Sequence, residues 1–295
     1  MLNIKYLLVL ALSAQASFAA PSPTGPEQED EASVQDSIQE TVQAPASSGQ
    51  LMGMVEIRPS YTRETDEFHT ENLLELGYRF SPNFRIRFQE QINTNISDPT
   101  TPNEGLHPEL MQGFLGATFG NIWANNGWSL SYEPRFYIPE TDRDFASKRY
   151  GTLRNYVMLS KQVTDFYTLT LMEIPILHFH GARGFVSNSG APVANQYYEN
   201  RFYIMNDFTF GKFTFEFPIL FVSQSKLDFG GVEGDWAHNL WFWPTVSYAI
   251  DNNMSVGVAL YTESIVAPDL SGFTVTDKGA GLSNSVAQLL FRATL

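Results

Sequence analysis

The sequence predicts an all-β fold: a single 12-stranded antiparallel transmembrane β-barrel, with short periplasmic turns at one end and longer extracellular loops at the other. Three observations predict it. From residue 51 onward, segments of about ten residues alternate apolar and polar positions with a period of two. Tight turns and long polar loops join these segments by turns. Nowhere does the chain hold the ~20 consecutive apolar residues of a membrane-spanning helix.

The N-terminus carries Lys5, an apolar run from Tyr6 to Leu12, and the small-x-small site Ser17-Phe18-Ala19 before Ala20. Residues 1–19 therefore read as a secretory signal peptide and stand outside the fold. Residues 20–50 read as an acidic, disordered periplasmic linker. They hold no Lys or Arg, and carry carboxylates at Glu27, Glu29, Asp30, Glu31, Asp36 and Glu40. Within them Val34, Ile38 and Val42 recur every fourth residue, the spacing of one face of a short helix, marginal in water. One reading of this tail is an acidic plug that folds back on the pore.

Residues 51–295 form the barrel. Asn83 to Thr94 shows its unit best: Phe84, Ile86, Phe88 and Ile92 on one face, and Arg85, Arg87, Gln89, Gln91 and Asn93 on the other. In a closed barrel the apolar face meets lipid. Phe213 to Phe221 and Met254 to Leu260 repeat the pattern. Tight turns fall at Ser81-Pro82-Asn83, Asn125-Asn126-Gly127, Val163-Thr164-Asp165, Gly211-Lys212 and Asp251-Asn252-Asn253, rich in residues that tolerate left-handed conformations. Longer connections lie near 64–70, 95–108, 140–150, 181–198, 225–237 and 267–280. Five turns and six loops join twelve strands, an even number that puts the linker and the C-terminus on the periplasmic side. Pro59, Pro134, Pro175, Pro218 and Pro244 lie inside strands, where each removes a ladder donor and predicts a bulge or kink. Glu173, between Met172 and Ile174, predicts a further bulge.

Composition narrows the function classes. Without cysteine there is neither a disulfide framework nor a lipidated N-terminal cysteine. A net charge of −14 excludes a nucleic-acid partner. With 14% aromatic residues the chain can supply interfacial girdles.

At the C-terminus Leu289, Phe291, Ala293 and Leu295 alternate with Gln288, Leu290, Arg292 and Thr294 up to the last residue. This resembles the terminal strand of Gram-negative outer-membrane β-barrels, though it ends on Leu where an aromatic residue is usual. The resemblance covers residues 51–295 as architecture and names no family within the class. It implies the bacterial outer membrane, contact with its lipid and with the barrel-assembly machinery, and a porin-like passage for ions and small polar solutes. Homo-oligomers are open to such barrels. The luminal arginines are similar in kind to the arginine tracks of twelve-stranded oligosaccharide channels.

The candidate pore-lining set is Arg58, Arg79, Arg85, Arg87, Arg135, Arg154, Arg201 and Arg292, with Glu56, Glu75, Glu133 and Glu216 among them. Asp207 is a further inward carboxylate. Lys148, Lys212, Lys226 and Lys278 fall in turns or loops. Glu56/Arg58 and Glu133/Arg135, each two apart on one face, suit ion-paired ladders that either stiffen a filled lumen or set the field of an open one. Trp241 and Trp243 point inward and Leu240 and Phe242 to lipid.

Catalysis has thinner support. His178, His180 and His238 with Asn239 stand near strand tops, where outer-membrane phospholipases and deacylases place a Ser/His pair, but no serine stands at a recognisable spacing. Asp142, Arg143, Asp144, Asp235 and His238 faintly resemble an omptin-like rim, without its Asp-x-His spacing. His178 and His180 share a strand face but lack a third metal ligand. The sequence thus predicts no catalytic residues, metal or cofactor. The alternative to a channel is a surface-interaction barrel with a filled lumen or, behind it, an outer-membrane hydrolase.

Overall fold

The computed structural model describes residues 49–63, 67–97, 107–187, 190–231, 236–266, 273–274 and 281–295. The predicted signal peptide, all of the acidic linker but its last two residues, Lys278 and Asp235 lie outside the described residues.

The strands are β1 (Gln50–Thr62), β2 (Glu67–Ser81), β3 (Phe84–Ser97), β4 (His107–Leu110), β5 (Phe114–Asn125), β6 (Trp128–Tyr137), β7 (Arg149–Thr164), β8 (Tyr167–His180) and β9 (Gly184–Val186). They continue as β10 (Pro192–Ala194), β11 (Gln196–Phe210), β12 (Phe213–Glu216), β13 (Ile219–Lys226), β14 (Trp236–Phe242), β15 (Thr245–Ala249), β16 (Met254–Val266), β17 (Phe273–Thr274) and β18 (Gly281–Thr294). Each strand of the wall pairs antiparallel with its neighbours, and β1 pairs with β18, Met54 opposite Thr294, which closes the sheet. Closure leaves no unpaired edge, the condition for a sheet to sit in lipid. Three pairs of segments, β4 with β5, β12 with β13 and β14 with β15, each make one broken strand, so the wall has the twelve strands predicted.

All five predicted tight turns are present. At Asn126-Gly127 both residues have positive φ, 50° and 77°, the backbone that a two-residue hairpin matching the twist of its strands requires. The first long connection differs from expectation, because β2 already begins at Glu67. Among the described residues, two of the long connections hold a helix or a separate hairpin. One holds the short helix α1 (Asp142–Ala146), opened by a capping box between Thr141 and Asp144 and tied to the wall by Arg149 Nη1 to Asp144 Oδ1 at 2.8 Å. The other holds the β9–β10 hairpin.

The prolines divide. Pro218 and Pro244 fall in the breaks between β12 and β13 and between β14 and β15, where the missing donor interrupts the ladder. Pro59, Pro134 and Pro175 do not bulge the sheet: Pro59 pairs with Thr70, Pro134 with Asn155 and Pro175 with Asn200 in unshifted register. One lost ladder bond is small beside the pairing on either side. The bulge predicted at Glu173 is also absent, for Glu173 pairs with Val157 and Phe202 in continuous register. Alternation is kept there by reversal of the two faces: Met172, Ile174 and Ile176 are buried inward, and Glu173 points outward with Leu171 and Leu177.

Candidate functional site in the barrel lumen

The inner surface has two contrasting walls. On β1, β2, β3, β6 and β18 the period-two pattern turns charged side chains inward. Glu56 accepts hydrogen bonds from Nε of both Arg58 and Arg292, the latter two strands' ends being joined by closure. Glu75 accepts from Arg87 Nη1. Glu133 is the hub: its Oε1 accepts from Arg135 Nε at 2.6 Å and from Arg87 Nη2 at 2.7 Å and Nε at 3.1 Å. Its Oε2 accepts from Thr118 Oγ1 at 2.6 Å and lies 3.9 Å from Arg85 Nη2. Glu133 and Arg135 expose nothing to solvent, so each charge is held by its partners rather than by water.

The second wall is apolar and aromatic. Tyr156, Met158, Met172, Ile174, Ile176, Tyr203, Met205, Leu220, Val222, Trp241 and Trp243 form one buried cluster on β7, β8, β11, β13, β14 and the break after β14, with Tyr261 of β16 against it. Tyr203 meets Trp243, and Trp241 meets Tyr261, edge to face. The Trp241 indole N–H has no hydrogen-bond partner among the described residues. The walls join through cation–π contacts: the Arg135 guanidinium lies 3.9 Å from the Tyr156 ring centre and 4.6 Å from that of Phe114. Arg154 lies 4.0 Å over Tyr137, and its Nη2 donates to Gln112 at 2.7 Å. Side chains of the two walls thus meet across part of the lumen. Toward the tight-turn end a cavity of about 470 Å³ opens, lined by Glu75, Arg79, Arg87, Asp251 and Arg292 among others. Toward the long loops a cavity of about 680 Å³ lies between Glu109–Gln112 and Glu140–Asp144.

The predicted set is therefore largely brought together. Glu56, Arg58, Glu75, Arg85, Arg87, Glu133, Arg135 and Arg292 share one wall, and Arg79 reaches the turn-end cavity. Arg201 sits apart, paired with Glu199, which accepts a further bond from Gln196. Glu216 lies opposite Asp207, two acids across one register step near a turn. Sequence reasoning passed over Glu199, although its spacing to Arg201 repeats that of Glu56 to Arg58. It also passed over the whole aromatic wall apart from Trp241 and Trp243, because apolar residues were assigned to lipid.

The histidines occupy other surroundings. His178 is buried and pairs through Nδ1 with Thr152 Oγ1 at 3.0 Å. His180 Nδ1 lies 3.3 Å from the Ser147 carbonyl. No group of three or more metal-ligating side chains stands together among the described residues. His238 faces outward, and its Nδ1 lies 2.9 Å from Ser223 Oγ, the serine that linear spacing did not reveal because it stands on the neighbouring strand.

No protein-family model matches this chain, and no curated protein matches it in sequence. A solved porin shares its fold. The NanC porin superposes with a TM-score of 0.52 at 12% identity, over 82% of this chain and 100% of that one. The KdgM porin gives 0.44 at 14% identity, over 81% and 98%. The outer-membrane channel DcaP of Acinetobacter baumannii gives 0.40 at 8% identity, over 83% and 96%.

Proposed function

From the barrel fold shared with a solved porin, we infer a narrow, porin-like channel of the bacterial outer membrane that passes ions and small polar solutes passively. The observation that carries this reading is the Glu133 hub, which gathers guanidinium groups on the inner wall of a closed barrel. A lattice of this kind sets a field that sorts solutes by charge. The aromatic wall opposite narrows the passage and offers flat apolar faces against which a sugar ring can stack. The long loops face outward, the tight turns and both chain ends face the periplasm, and the C-terminal strand is what the assembly machinery reads. Residues 1–19 are removed as a signal peptide, and Gln50, where β1 begins, lines the turn-end cavity with Arg79, Arg87 and Arg292.

A second reading, a surface barrel with a filled lumen, draws on the solvent-free faces of Tyr156, Met172, Ile174 and Tyr203. Proteoliposome swelling separates the two. The channel reading expects swelling that slows as the sugar grows and changes with its charge. Impermeability to every solute, in vesicles holding folded barrel, would leave the filled barrel as the function.

A further inference from the structure

We propose that the outer surface of the barrel carries a second, independent site: a Ser223–His238 dyad, beside Asn200, that cleaves long-chain acyl esters of membrane lipids. The three residues come from adjacent strands. Asn200 of β11 pairs with Ser223 of β13, and Ser223 pairs with His238 of β14. All three are half-buried on the outward face, between neighbours such as Phe202, Phe221 and Leu240.

Geometry supplies the parts of a nucleophilic site. His238 Nδ1 and Ser223 Oγ are 2.9 Å apart, the reach needed for the imidazole to take the hydroxyl proton. The Phe221 ring lies beside the imidazole with centroids 5.8 Å apart and planes 16° from parallel. On the other side of Ser223 stands the Asn200 amide. Its Nδ2 donates to Glu173 Oε1 of β8 at 3.4 Å, on the side of β11 away from Ser223. A carboxylate facing lipid is costly, and at Glu173 it serves to hold that amide in place.

Depth in the membrane selects the substrate. Two residues further toward the long loops, Tyr198 and Trp236 meet edge to face with centroids 6.1 Å apart. They belong to the aromatic girdle that marks headgroup level. The other girdle on these strands includes Tyr167, stacked on Phe208 beside the tight turns. The dyad therefore lies just beneath the headgroups, about 5 Å in from the girdle on a tilted strand. That is the level of acyl ester linkages, above the chains and below the phosphates.

The chemistry balances with water as the only co-reactant. Ser223 Oγ bonds to the ester carbonyl carbon while its proton passes to His238 Nδ1. The carbon–oxygen bond to the alcohol then breaks, His238 returns the proton to the departing oxygen, and an acyl-serine remains. Water attacks the acyl group through the same histidine and releases the fatty acid with Ser223 restored.

The test uses the folded barrel in mixed micelles, with fatty-acid release measured by mass spectrometry. A diacyl glycerophospholipid is supplied in one arm and an acylated disaccharide lipid in the other, which tells the two ester sources apart. A long-chain sulfonyl fluoride serves as an active-site label. Expected are release from at least one lipid, label on the Ser223 peptide, and a loss of about 100-fold or more in Ser223→Ala and His238→Ala. Neither variant touches the lumen, so unchanged heat-modifiable migration and conductance report that they are folded. Release that survives Ser223→Ala, or a folded wild-type barrel that neither hydrolyses either lipid nor takes the label, overturns the proposal. Failure of the channel reading alone leaves this site standing, since its readouts do not pass through the lumen.

Discussion

Replacement of Glu133 tests the luminal lattice at its centre. In Glu133→Gln the side chain keeps its shape, and its oxygen can still meet Arg135 Nε and Arg87 Nη2, now 2.6 and 2.7 Å from Oε1. The charge goes, and with it the acceptor that Thr118 Oγ1 meets at Oε2. Arg87 retains Glu75 as an ion-pair partner at 2.5 Å, and the Arg135 guanidinium keeps the faces of Tyr156 and Phe114. Breaking a buried pair costs about 3–5 kcal/mol. Because Gln preserves the hydrogen bonds at Oε1 and the turn-end cavity gives water a route to Arg87, the lower end applies, about 3 kcal/mol. Glu133→Ala removes the acceptors as well and belongs near the upper end, about 5 kcal/mol. Equilibrium urea unfolding of the barrel in micelles, followed by tryptophan fluorescence, measures both. A Glu133→Gln barrel within about 1 kcal/mol of wild type would refute the reasoning, since the carboxylate would then not be what holds the guanidinium groups in the lumen.

Other perturbations reach other parts of the structure. A methyl group at Gly77 would sit 2.9 Å from the Ile86 carbonyl oxygen and 3.1 Å from Arg87 Cβ, so Gly77→Ala is expected to cost about 1–3 kcal/mol in the same unfolding assay. Trp241→Ala removes the indole that meets Tyr261, and should cost about 3–5 kcal/mol while raising single-channel conductance, because the cavity it leaves opens into the lumen. Glu173→Leu places an apolar side chain against lipid and should raise the urea midpoint, by about 1–2 kcal/mol in stability. Glu133→Gln also leaves the lumen more positive, and the reversal potential across a salt gradient should move toward anions.

Architecture was legible because the barrel writes itself in local signals. Turn chemistry such as Asn126-Gly127 and the alternation of Arg85 and Arg87 with Ile86 and Phe88 need no long-range information, and they sufficed for the strand count. The charged wall was legible for the same reason, since a polar residue at an inward position of a period-two segment has one place to go. The aromatic wall was not. Period two says which residues share a face but not which face is the lumen, and on β8 the apolar set Met172, Ile174 and Ile176 points inward while Glu173 points out. Burial decides there, through the packing of Tyr203, Met205, Leu220 and Trp241 from strands far along the chain. The pairing of Ser223 with His238 escaped for a related reason: fifteen residues and a long connection separate them, and only strand register sets them side by side. Proline misled in the other direction, because a lost donor at Pro59, Pro134 or Pro175 is tolerated where both neighbours hold the register.

The central claim is that water and small ions cross this barrel through a lumen lined on one side by Arg87, Glu133 and Arg135. Single-channel recording from the mature chain, folded into a planar bilayer, tests it most directly. Discrete, ohmic conductance steps whose charge preference shifts in Glu133→Gln are the predicted result; electrical silence from a correctly folded, heat-modifiable barrel would contradict it.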